Sequence, residues 1–230
     1  MKEITQGFIE AIRLIFTLDS ETVRILLLTL RVTLSALFIS SIIGFPLGGW
    51  LAFTEFKYKK ILMNLIYTLM GLPPVVVGLF IYLFFSREAP FGKLNLLFTP
   101  DAMILAQILL ASPVIVGLTY LGIKAIDLDV ILLARTLGAD KSQSIWIVLK
   151  EAKLALFGAL ITAFGSVISE VGAAMLVGGN IQGSTRILTT ALILEVRRGN
   201  FSLAIALGLI LLSLSFIING LFLWFSKGEE

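Results

Sequence analysis

Two charged side chains, Arg31 and Glu170, stand inside long apolar runs of this 230-residue chain. A charge at membrane depth is costly and calls for a partner. Arg31 lies six residues inside the start of one run and Glu170 seven residues before the end of another. At the helical rise, both would sit about 10 Å below the same surface. Equal depth and opposite sign predict an ion pair. The competing readings are that Arg31 snorkels outward and that Glu170 caps a broken helix. Thr162, Ser166 and Ser169 lie just before Glu170 at spacings of four and three, which places three hydroxyls on one helical face. They either line a polar path or bond back to carbonyls of their own helix. Pro46, Pro73, Pro74 and Pro113 also fall within apolar runs. Each removes a backbone donor, and such breaks are tolerated in a bilayer only where protein or a water-filled cavity satisfies the freed carbonyls. The adjacent pair Pro73-Pro74 predicts a kink in the middle of its span, whereas glycines such as Gly78, Gly165 and Gly172 are expected to let helices approach closely.

The residue inventory closes off several chemistries. The chain has no Cys and no His, so disulfides, thiolate catalysis, and the commonest general base and metal ligand are absent. No second acid accompanies Glu170 for hydrolytic work, and no GxxxxGK[ST] segment occurs, so the chain is not expected to hydrolyse ATP, hold a metal or carry a cofactor. The net charge of +3 is spread through loops and gives no nucleic-acid footprint.

Composition fixes the class: 58% hydrophobic, 14% charged and a mean hydropathy of +1.01 define a polytopic helical membrane protein. Five spans follow, over Ile25–Phe53, Ile61–Phe85, Ala102–Ile123, Ala152–Val177 and Phe201–Phe225. Apolar residues from Ile4 to Phe16 recur at three- and four-residue spacing around Glu10 and Arg13, which predicts an amphipathic N-terminal helix rather than a cleaved signal peptide. Arg186–Val196 is too short to cross, so a re-entrant or interfacial helix with Ser184 or Thr185 as N-cap is expected. Lys57, Lys59 and Lys60 favour a cytoplasmic first loop, although the total positive charge on the two sides is nearly equal. A polar island, Lys124–Lys153, would share that side. Its pattern predicts a helix, a turn permitted by Gly138, and a second short helix outside the bilayer. An island of this kind either docks a partner or lies as a connector on lipid.

Three stretches carry a resemblance. Ala134-Arg135-Thr136-Leu137-Gly138-Ala139 resembles the coupling-loop signature of permease subunits in binding-protein-dependent ABC importers. Gly71-Leu72-Pro73-Pro74-Val75-Val76-Val77-Gly78-Leu79, and Ser169-Glu170-Val171-Gly172-Ala173-Ala174 with Gly178-Gly179-Asn180-Ile181 and Gly183-Ser184-Thr185-Arg186, narrow it to the molybdate, tungstate and sulfate permeases, the tungstate branch above all. Two positions depart from the pattern: Ile131 stands where the family usually has Glu, and Lys150 where it usually has Pro. The second departure predicts a fourth span that starts without a sharp break.

The resemblance implies an all-α permease domain over the whole chain, with the importer transmembrane domain at 24–226 and a cytoplasmic coupling loop at 124–153. It implies residence in the inner membrane, a homodimer around a shared pore, two separate ABC ATPase subunits below and an extracytoplasmic oxyanion-binding protein above. The binding protein would meet the loops Ser86–Pro100 and Gly178–Asn200. Residues 134–139 would couple to the ATPase, Ala134, Leu137 and Ala139 forming an apolar knob with Arg135, Asp140 and Lys141 at its rim. Pro73, Pro74, Ser166, Ser169, Glu170 and Arg31 would belong to the pathway or its gate. The cargo would be a tetrahedral oxyanion, tungstate first, then molybdate or sulfate. A secondary carrier or a channel not driven by ATP is the alternative, since both use broken helices; carriers typically show internal repeats, and none is evident here.

Overall fold

The structure, a computed structural model, describes residues 2–17 and 19–227. Among the described residues the chain forms eleven α-helices, one short 3-10 turn at Gly92–Leu94 and no strand. Three helices are long and apolar enough to cross a membrane alone: α2 (Ser20–Phe53), α5 (Pro100–Lys124) and α11 (Phe201–Lys227). Two further apolar units are bent helix pairs, each long and apolar enough to cross if taken as one span. Helices α3 (Lys59–Met70) and α4 (Pro74–Phe85) meet at 97°, and α8 (Lys153–Ile168) and α9 (Gly172–Gly178) meet at 56°. The five predicted spans fall on these five units.

Helix α5 is the hub. Met103, Ala106, Ala111 and Ile115 are almost fully buried, packed with Phe164 and Val167 of α8 and Val177 of α9. Helix α2 lies against α5 through small residues: a Cβ on Gly44 would fall 2.6 Å from Ile115 Cγ2, and one on Gly48 would fall 2.7 Å from the Val116 carbonyl. In lipid no hydrophobic force drives such pairs together, so close backbone approach and van der Waals contact do. Pro46 and Pro113 are absorbed inside α2 and α5 without ending either helix. Pro73-Pro74 does end one, because Gly71, Leu72 and Pro73 all leave the helix before Pro74 starts the next.

Helix α1 (Lys2–Phe16) turns Gly7 and Ala11 onto α11 and leaves Ile4, Phe8, Ile9, Ile12 and Phe16 exposed. An apolar face turned away from the protein fits the predicted interfacial helix. Helix α10 (Leu188–Arg197) fills the predicted short segment, but its cap is Ile187, whose N–H donates to Thr190 Oγ1 at 3.0 Å. Ser184 and Thr185 do not cap it. Thr185 is instead fully buried: its hydroxyl donates to the Gly178 carbonyl and accepts from Ile181 N at 2.9 Å, closing the 178–186 loop on itself.

The loops sort to two ends of α5. At its C-terminal end Lys124 lies 3.4 Å from Glu55 of the first loop, and α6 (Leu128–Thr136) and α7 (Lys141–Glu151) follow. At its N-terminal end Phe98 N donates to the Val177 carbonyl at 2.7 Å, and a Cβ on Gly179 would lie 2.8 Å from the Phe98 ring, which brings the 86–100 and 178–200 segments together. This is the predicted grouping of first loop with polar island, and of the two opposite loops with each other.

Candidate functional site

The polar island folds into a tightly specified helix–turn–helix. Helix α6 ends in a Schellman motif, with Ala139 N donating to the Ala134 carbonyl at 3.0 Å and Gly138 N to the Arg135 carbonyl at 3.0 Å. That motif needs a left-handed residue, and Gly138 supplies it with φ +92°. Helix α7 then opens on a capping box: Gln143 N donates to Asp140 Oδ1 at 2.8 Å, and Asp140 N donates to Gln143 Oε1 at 2.9 Å. The orphan groups at both helix ends are thus satisfied within the island, which fixes its shape without a partner.

The face presented to solvent differs from the one expected. Ala134 points inward, 7% exposed, and Ala139 is half-buried, so neither forms the knob. Leu137, at 80% exposed, does, together with Leu132 and Leu133. The reason is the Schellman geometry, which folds 139 back over 134. Arg135, Thr136, Asp140 and Lys141 remain exposed around it. Helices α7 and α8 are separated by Ala152 alone, so the missing Pro at 150 leaves a break of one residue.

The two broken spans meet at their breaks. A Cβ on Gly172 would lie 2.6 Å from Val75 Cγ2, and one on Gly78 would lie 2.8 Å from Ala173 Cα. The start of α4, with Pro73 and Pro74, therefore packs on the start of α9, immediately after Ser169 and Glu170. Non-helical backbone at membrane depth has to be enclosed by protein, and each break encloses the other. Glu170 is buried and accepts from Ala173 N at 2.8 Å, while its own carbonyl accepts from Thr189 Oγ1 at 2.9 Å. It caps the broken helix. Thr189 carries no sequence signal and was missed.

Ser166 and Ser169 are exposed on the last turns of α8. Ser169 donates to the Gly165 carbonyl and Thr162 to the Gly158 carbonyl, both at 2.8 Å, so these two hydroxyls bond back to their own helix. Their oxygens remain open to a second approach.

Arg31 is not with Glu170, and the predicted ion pair does not form. Arg31 is exposed and lines a separate cavity of about 400 Å³ near the start of α2, with Arg24, Glu21 and Arg186. Seven residues of α2 separate Arg24 from Arg31, the same helical face two turns on, a repeat readable in the sequence but passed over. Glu21 accepts from Gln182 Nε2 at 2.7 Å and from Arg186 Nη1 at 3.1 Å.

Electrostatics at the α2–α3 loop are equally local. Lys59 is buried and donates to the Thr54 carbonyl and to Glu55 Oε1, both at 2.8 Å. The hydrogen bond from Lys59 holds the Glu55 carboxyl below its ordinary value of 4.5, with Lys124 adding to the effect.

Crossing helices broken at two mutually packed points, joined by a rigid two-helix island outside them, define a transporter's membrane subunit. The comparisons agree. The profile of the family described as "Binding-protein-dependent transport system inner membrane component" matches residues 44–229. The chain is 40% identical over 230 residues, the full length of both chains, to the tungstate uptake system permease protein TupB of Peptoclostridium acidaminophilum. It is 36% identical over 216 residues to the protein of that name from Campylobacter jejuni, covering 94% of this chain and 90% of that one. An inward-facing structure of the MetNI methionine ABC transporter shares the fold, with a TM-score of 0.74, 18% identity, and coverage of 92% of this chain and 97% of the other. The chain belongs to the binding-protein-dependent transport system inner membrane component family: it is a multi-pass inner-membrane permease subunit of an ABC importer. The reading as a carrier or channel gives way to that membership.

Proposed function

We propose that this permease carries tungstate, a tetrahedral dianion, into the cell. The observation that carries the reading is identity of 40% sustained over every residue of a tungstate permease, supported by the second such relative at 36%. Molybdate and sulfate share charge and shape with tungstate, and on this reading they are competitors rather than preferred cargo.

Two copies of the chain form the pathway around a two-fold axis, since five crossings with two broken units give too little wall to enclose a pore and its gates. Residues 124–153 are the coupling loop, with the exposed Leu133 and Leu137 entering a groove on each of two separate ATPase subunits and Arg135 at the rim. An extracytoplasmic oxyanion-binding protein docks on 86–100 and 178–200, the segments joined at the other end of α5. The mutually packed breaks at Pro73-Pro74 and Ser169-Glu170 form the gate region, because a broken helix can change its bend without unpairing a continuous ladder.

The test is uptake by proteoliposomes holding this chain with its ATPase and binding protein, assayed for tungsten by mass spectrometry. ATP-dependent tungstate uptake, resistant to equimolar sulfate, is expected. Uptake indifferent to the ATPase, or displacement of tungstate by equimolar sulfate, would overturn the reading.

A further inference from the structure

We infer that Arg24, Arg31 and Arg186 form a binding site for a tetrahedral oxyanion group in the cavity between the start of α2 and the 182–186 loop. Four observations converge. The cavity, about 400 Å³, is lined by three arginines and one carboxylate, Glu21, which leaves two positive charges in excess (three minus one). Arginine is the side chain suited to this task, being always charged and presenting planar donors that match tetrahedral oxygens two at a time.

The arginines are also held from two directions. Arg24 and Arg31 share one face of α2, about 10 Å apart along the axis, a gap that two long side chains can close. Arg186 comes from the opposite wall, its side chain only 12% exposed, with Nη1 fixed 3.1 Å from Glu21. Its Nε is buried and has no hydrogen-bond partner among the described residues. A buried donor without a partner is uncommon and costs free energy unless something external satisfies it.

The loop is shaped to leave room. Gly183 adopts φ +76°, so a side chain there would be strained, and a Cβ at this position would lie 3.8 Å from Arg24 Nη1, which keeps the backbone of the loop close beside the guanidinium. Ser20 and Ser184 line the same cavity and add two hydroxyl donors. Finally, Glu21, Gln182 and Arg186 form a wall to a neighbouring cavity of about 320 Å³ whose lining includes Glu10, Asp19 and Glu195. That second cavity also holds Arg198, paired with Glu195 at 2.9 Å, but its carboxylates Glu10, Asp19, Glu21 and Glu195 outnumber Arg186 and Arg198, so the excess of positive charge belongs to the first cavity.

The site's ligand chemistry is a compact cluster of phosphate-like oxygens, and it has two sources, a free oxyanion or the phosphate of an anionic lipid. This inference goes beyond the proposed cargo and does not require uptake, so it is tested by equilibrium binding to the purified full-length chain. Tungstate and inorganic phosphate are titrated in lipid-free detergent, and phosphatidylglycerol in nanodiscs, with native mass spectrometry and thermal unfolding as readouts. Saturable binding in either arm is expected, and the arm that saturates names the source. Arg24→Gln with Arg31→Gln should weaken it by about tenfold or more, the worth of a lost charge-assisted hydrogen bond. Arg87→Gln, outside the cavity, should leave it unchanged. Should the arginine variants fail to fold, Glu21→Gln decides: removing the one opposing charge should tighten binding severalfold, while the glutamine oxygen still accepts from Gln182 and Arg186. Absence of binding in both arms, equal binding by the double arginine variant, or unchanged affinity in Glu21→Gln would overturn the inference.

Discussion

Removing the Glu170 carboxyl tests whether the broken fourth crossing is held by a helix cap or by a charge pair. Glu170→Leu deletes the acceptor 2.8 Å from Ala173 N and leaves that N–H in closed surroundings, since Glu170 is 7% and Ala173 0% exposed. Water cannot take the vacated place, because α4 covers the break through Val75 and Gly78. Stranding a buried backbone donor costs about 1–3 kcal/mol. For a chain of this length each kcal/mol lowers Tm by about 2–4 °C, so a fall of about 2–12 °C is expected for the purified protein in detergent. Glu170→Gln keeps an acceptor in place and should lose less than half as much. Arg31→Leu, at a separate cavity, should shift Tm independently, so the double variant Arg31→Leu with Glu170→Leu should show the sum of the two single effects. An unchanged Tm for Glu170→Leu refutes the cap, and a double variant more stable than that sum restores the ion pair.

Gly138→Pro should abolish ATP-driven uptake while leaving the chain inserted, because φ +92° and the Gly138 N–H bond to Arg135 are both incompatible with proline; normal uptake and normal co-purification of the ATPase would remove the coupling assignment. Gly138→Ala meets no neighbouring atom within 4 Å, so its milder loss, about 1–2 kcal/mol of local backbone strain, should weaken ATPase retention without abolishing it. Cysteines introduced at Ser142 and Lys93 should react with impermeant reagents only from the cytoplasm and only from outside, respectively, against a native background free of Cys, and reversed labelling would invert every partner assignment. The lowered pKa of Glu55 contributes stability that is present above its ordinary value of 4.5 and is lost as pH falls through the lower folded value. The Tm difference between wild type and Glu55→Gln should therefore hold from neutral pH down to about 4.5, shrink below it and vanish once the pH is under the folded value; a gap that persists in acid would contradict the Lys59 and Lys124 contacts.

Much of the fold was legible because a bilayer leaves few options. Backbone groups in lipid must bond within their own segment, so apolar length alone located the three long helices and the two bent pairs, and Pro73-Pro74 announced the break that the structure places at 97°. The turn at Gly138 was equally readable, since its determinant is local, a glycine where φ must be positive; the capping box of Asp140 and Gln143, just as local, emerged only in the structure. Reading Glu170 as a possible cap succeeded for the same reason, because its partner lies three residues away.

What failed were mainly statements about residues far apart in the chain, with a local exception: Thr185 closes its own loop on Gly178, so the cap of α10 falls to Ile187. Depth along two helices gave Arg31 and Glu170 the same height, but height says nothing of rotation about each helix axis or of which neighbour intervenes. Packing of α2 on α5 through Gly44 and Gly48 turned Arg31 toward Arg24 and Arg186 instead. Likewise periodicity named Ala134 and Ala139 as surface knobs, whereas the Schellman turn buries one and folds the other over it, leaving Leu137 outermost. The sequence by itself determined the membrane class, the apolar segments, the Pro73-Pro74 break and the turn at Gly138, all of which depend on neighbours within a few residues or on the solvent. Only the tertiary structure decided which breaks enclose each other and which charges share a cavity, because those are set by helix rotation and close backbone approach between segments far apart in the chain.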